Sequence, residues 1–218
     1  MSEVLLAVSA LLAVIFFFKS AHHNKTVVLI IFFWIGFQFV LAMKGFYLDS
    51  MSLPPRPALM VAPPLVLLGI LLALNKGRSF LRSLDLKTLT WLHLVRVPVE
   101  VMLWLLFLDK LLPVDLTFEG VNWDILMGLT APLVVYFYFS KKIMSKGMLI
   151  GWNILSLLLL GNVVFRGILS VESPFQQFGF EQPNIAMLHF PFNFLPALIV
   201  PLVLYANVAA LLQLTKKK

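Results

Sequence analysis

Cysteine is absent from this chain, and charge is scarce. The missing thiols exclude disulfides, cysteine-zinc sites, thiol chemistry and cysteine-linked lipid. Charged residues make up only 12% of the 218 positions, against 61% hydrophobic. Mean hydropathy is +0.96. So little polar material cannot cover a soluble domain of this size. The signatures of common enzymes are also missing. There is no Gly-x-Ser-x-Gly, no P-loop, no dinucleotide fingerprint and no His-Glu-x-x-His. No lysine lies within the last apolar run to carry a retinal Schiff base. His93 is the one clear histidine inside an apolar run, which argues against a bis-histidine haem. No cofactor and no metal is expected, and no catalytic residue is assigned.

What the chain does have is apolar blocks of the length that crosses hydrocarbon. They run over about 2–18, 26–43, 58–74, 89–108, 125–140, 148–171 and 194–214. They are too long and continuous for barrel strands, and a helix satisfies its own backbone in lipid. The expected fold is all-α: a single domain over 1–218, a polytopic integral membrane protein with a bundle of seven transmembrane helices. The first block follows Glu3 rather than a basic segment, so it reads as a span and not as a cleaved signal. Pro63-Pro64 should bend span three, and Pro98 should kink span four by removing a hydrogen bond to the Leu94 carbonyl. Between these spans, residues 75–87 carry Lys76, Arg78, Arg82 and Lys87 interleaved with leucines. That pattern predicts a short amphipathic helix on the membrane surface.

Net charge is +7. The basic residues sit in short connections, where they report orientation rather than nucleic-acid binding. Lys19, Lys25, Lys76, Arg78, Arg82, Lys87, Lys141, Lys142, Lys146 and Lys216 to Lys218 fall on one side of a seven-span threading. Lys44, Arg56 and Lys110 fall on the other, with eight of the ten acids. The positive-inside rule then puts the amino terminus outside and the carboxyl terminus in the cytoplasm.

The stretch His93-Leu94-Val95-Arg96-Val97-Pro98-Val99-Glu100 holds three ionisable residues inside span four. At about 100° per residue, His93, Arg96 and Glu100 share a stripe ~60° wide. Such a stripe turns away from lipid, because arginine at a bilayer centre costs at least about 2.5–3.5 kcal/mol. Span six adds Asn162 and Arg166, four apart on one face. The expectation is a buried polar site between spans four and six in which two arginines face one glutamate. Glu100 would pair with Arg96 or Arg166. The excess positive charge would suit a small anionic or lipidic solute. The competing reading is an ion-pair network that sets helix register and needs no ligand. A second candidate is an outer-face site at Glu119, Asp124 and His189, in the aromatic-rich connections at 109–124 and 172–193.

The His93–Glu100 stretch resembles a group of uncharacterised bacterial multi-pass inner-membrane proteins. So does Thr117-Phe118-Glu119-Gly120-Val121-Asn122-Trp123-Asp124 through Thr130-Ala131-Pro132. The likeness covers spans four to seven. It implies a bacterial source and location in the cell inner (cytoplasmic) membrane, and it brings no activity or site residues. Three functions follow from these readings. One is solute binding or translocation at the buried site. The second is a non-catalytic structural or interaction subunit with a membrane-protein partner. The third is a membrane-embedded enzyme working at the outer face. The lipid bilayer is a partner in all three.

Overall fold

Apolar runs broken by proline and charge become helices here, and no strand forms among the described residues. The computed structural model describes residues 1–215. The basic tail Lys216, Lys217 and Lys218 lies outside the described residues. Helix α1 is Ser2–Ser20 and α2 is Lys25–Met43. Helix α3 is Ala58–Ala73 and α4 is Asn75–Ser83. Helix α5, Leu86–Leu92, continues through a 3-10 turn at His93–Val95 into α6, Arg96–Leu108. Helix α7, Ile125–Val134, runs on as a π-helix over Val135–Ser140. Helix α8 is Lys146–Leu169. A π-helical turn, Leu195–Ile199, leads into α9, Val200–Leu214.

Among the described residues, five stretches are long and apolar enough to cross a membrane. They are α1, α2, the joined Leu86–Leu108 helix, α8 and Leu195–Leu214. Helices α3 and α4 make a sixth only as a pair bent by 102°. The bend leaves α4 as the short amphipathic helix read from residues 75–87. Ile125–Ser140 is apolar but shorter. At 1.5 Å per residue it reaches about 24 Å, against the ~30 Å hydrocarbon core. Just before it, residues 117–124 fold back into the bundle. Thr117, Asn122 and Asp124 are all buried.

Prolines open backbone acceptors in α3 and α9, and α2 closes them. Pro63 has no N–H for the Leu59 carbonyl, and Gln38 Nε2 donates to it at 3.4 Å. Pro201 likewise leaves the Ala197 carbonyl, and Trp34 Nε1 donates to that one at 2.7 Å. Tyr47 donates to Gln38 Oε1 and holds the amide in place. Little else packs α2, whose Phe32 and Phe33 stand about 70% exposed (70% and 72%). Two polar donors therefore fasten a helix that makes few apolar contacts.

The connections collect at two ends. Asp85 N donates to Ser20 O, His22 bonds Ser83 O, and Gln213 donates to Leu81 O and Leu84 O. Leu86, Tyr138, Met144 and Leu214 share one cluster. The first, third and fifth connections thus meet the end of α9. At the opposite end, Ser50 donates to Glu172 O, and Gln182 donates to Phe107 O and Leu112 O. This grouping matches the basic and acidic sets read from the sequence.

Candidate functional site

Helix α6 carries the central charges, and its irregular start sets their direction. Pro98 cannot donate to Leu94, and the turn tightens to a 3-10 form at His93–Val95 just before Arg96. His93, Arg96 and Glu100 are all buried, at 1%, 2% and 1% exposure. The stripe turns inward as its spacing requires.

Arg96 is met from two elements. Its Nη1 donates to Asp124 Oδ1, and its Nη2 donates to Ser156 Oγ at 2.8 Å. Asp124 is the residue before α7, and Ser156 lies midway along α8. Glu100 is held by Asn122, whose Nδ2 lies 2.8 Å from each carboxylate oxygen and 3.0 Å from Leu116 O. Asn122 Oδ1 accepts from the Asp124 backbone N–H at 3.1 Å. One connection therefore supplies partners to both charges of α6.

That connection is folded tightly on itself. Gly120 N donates to Thr117 O, and a Cβ on Gly120 would lie 2.3 Å from Val114 O, so only glycine fits. Helix α7 then packs close to α6. A Cβ on Gly128 would lie 2.7 Å from Val97 Cγ2 and 3.0 Å from Val97 N. Gly128, one turn after Asp124, thus lets the carboxylate approach the guanidinium.

These contacts correct the expected pairing. Glu100 pairs with Asn122, not with either arginine. Asp124, read as an outer-face group, is the buried ion partner of Arg96. Arg166 does not reach this site. Its Nη1 donates to Asp115 Oδ2 at 3.3 Å, its Nε donates to Asn162 Oδ1 at 3.2 Å, and its guanidinium lies over Phe178. Asn162 donates to Val121 O at 2.9 Å. Arg166 stands near the end of α8, where it can reach the partly exposed connection. The expected balance of two arginines to one glutamate is replaced by one arginine to two carboxylates.

His93 packs edge-on against Trp152, with ring centroids 4.9 Å apart, and its buried Nδ1 has no partner. Glu119 is exposed and accepts from Trp104 Nε1 at 2.8 Å, and His189 is exposed. The outer-face trio of Glu119, Asp124 and His189 is therefore divided among different surroundings. Among the described residues no three His, Asp or Glu gather as metal ligands would.

No protein-family model, curated protein or solved structure matches the chain. The site is read from its own chemistry. A cleft of about 530 Å³ lies between α3, α6, α8 and the start of α9. Arg96, Glu100 and Asp124 form its polar end, and aliphatic residues such as Leu103, Leu160, Val164 and Met187 form most of its walls. It extends to Pro57 and Phe175 in the connections.

Asn122 and Ser156 were not singled out by sequence. Ser156 had a signal, because Leu149, Asn153, Ser156 and Leu160 repeat on one buried face of α8. Asn122 had none, since a connection has no period to reveal its inward side.

Proposed function

We propose that this chain is a membrane protein that binds a lipid-like molecule in the cleft between α6 and α8. The observation that carries this reading is the union of a large aliphatic cleft with a buried polar end. Ligand sites of about 300–1,000 Å³ commonly join apolar walls to a few convergent polar groups. The apolar body of the ligand lies along Leu103, Leu160 and Val164, and its head reaches Arg96, Glu100 and Asp124. Of the expected solutes, the lipidic one suits these walls better than a small hydrophilic anion.

The supporting topology has seven crossings in a bacterial inner membrane. The bent α3–α4 pair and the short α7 each count as one crossing, with the amino terminus outside. The clustering of Lys19, Lys76, Arg82 and Lys141 toward one end favours that end as cytoplasmic. A reporter fused after the last lysine should be active only in the cytoplasm, and a periplasmic signal would reverse the topology.

Gly167 gives a clean test of the cleft. A Cβ there would meet only Leu116 Cδ2, at 4.0 Å, so a larger side chain enters the void without moving backbone. Wild type and Gly167→Phe are purified in mild detergent, and bound lipid is extracted and identified by mass spectrometry. The wild type should carry an apolar compound near one per chain that the variant lacks, while both unfold at similar temperature. Equal lipid content in the two proteins would refute a ligand in this cleft.

A further inference from the structure

The charge balance at the polar end narrows the ligand class. We infer that the cleft takes a long-chain amphiphile whose head donates hydrogen bonds and carries no negative charge, such as a long-chain alcohol or amine. This rests on the lipid-binding reading above and adds selectivity to it.

Three observations carry it. First, among the described residues Arg96 is the only basic one lining the cleft, and it shares that lining with two carboxyl groups, Glu100 and Asp124. Asp124 already pairs with Arg96, so an incoming anion would find no free cation there. Secondly, both terminal nitrogens of Arg96 are engaged, one by Asp124 and one by Ser156. A bound carboxylate or phosphate usually takes two parallel N–H groups from arginine. Nε and a second N–H on each terminal nitrogen remain, but the charge of Arg96 is already met by Asp124, so an incoming anion finds donors without a free cation. Thirdly, Glu100 has acceptor capacity to spare. Its two oxygens share a single Asn122 amide, which also serves the Leu116 carbonyl. A carboxyl group, charged or neutral, has more acceptor lone pairs than one amide fills. A hydroxyl or ammonium from the cleft would fill one of them, and a bare alkane would leave them empty.

The rest of the cleft fits the same ligand. Beyond the charged end, Val99, Leu103, Leu160, Val164 and Ile199 offer no hydrogen bonds from their side chains. Ser173 and Asn184 are further polar residues on the lining. The two carboxylates are also held apart in role. Asp124 is committed to Arg96, whereas Glu100 has no cation of its own. Selectivity therefore rests on Glu100.

The test uses the full chain, stripped of lipid in mild detergent. Thermal unfolding is followed with hexadecanol, hexadecylamine, hexadecanoate and hexadecane added to matched micelles. The alcohol and the amine should raise Tm saturably, by about threefold more than the acid or the alkane. Gly167→Phe should abolish the response to all four probes. Glu100→Gln should bring the acid to within about twofold of the alcohol. The wild-type series is decisive by itself should Glu100→Gln fail to fold. A response to hexadecanoate equal to that for hexadecanol, lost in Gly167→Phe, would overturn the selectivity and leave the lipid site standing. Identical responses of wild type and Gly167→Phe to every probe would overturn both.

Discussion

Arg96 and Arg166 are both arginines in apolar helices, yet their surroundings differ in kind. Arg96 is 2% exposed and ion-paired to a residue nearly as buried. The Arg166 side chain is 25% exposed and pairs with Asp115 at 34%. Arg166 lies close enough to the end of α8 to meet its partner at the surface. Arg96 lies midway along the joined Leu86–Leu108 helix, so its partner is brought inward by a connection that folds back. The lesson is that an arginine's height along its helix decides whether the chain must restructure around it. Only the Arg96 arrangement leaves charged groups on the wall of a large cleft.

The contrast can be broken first at Arg96. Arg96→Met leaves Asp124 buried without a cation and should cost about 3–5 kcal/mol, read by denaturation in mild detergent. Combining it with Asp124→Leu should recover most of that loss. A double variant no more stable than the single would mean that the pair does not account for the effect. Gly128→Val comes next. Its new side chain must part α7 from α6 at Val97, and overpacking of this kind costs about 1–3 kcal/mol. Arg166→Met should cost less than about 1 kcal/mol, with the loss shrinking further in high salt. An Arg166 effect as large as that of Arg96 would erase the distinction. Smallest of all, Glu119→Gln should stay within about 0.5 kcal/mol, because the group is exposed and a neutral amide can still accept from Trp104.

Much of this was legible in the chain. The apolar runs became helices close to their expected bounds, and the His93, Arg96 and Glu100 stripe turned inward as its period requires. Pro98 produced an irregular turn one turn before itself. Charge pairing was less legible. Helical spacing tells which residues share a face, but the partner of Arg96 came from a connection between helices. Asp124 stands among Phe118, Glu119 and Trp123, all exposed, and nothing in its neighbours marks it as the residue that enters the bundle. Its burial follows from the tight fold at Gly120 and the close approach at Gly128, which are tertiary facts. Helix length was also only partly legible, since the Ile125–Ser140 helix is shorter than the other apolar runs and follows a connection that folds back into the bundle.

The most direct measurement is photo-crosslinking with a long-chain alcohol that carries a diazirine on its chain. The labelled residues are located by mass spectrometry of the detergent-purified protein. Label should concentrate on Leu103, Leu160, Val164 and Met187, compete with unlabelled alcohol, and vanish in Gly167→Phe. Label spread over the exposed aromatic face of α2, with no competition and no change in the variant, would contradict a ligand site beside Arg96.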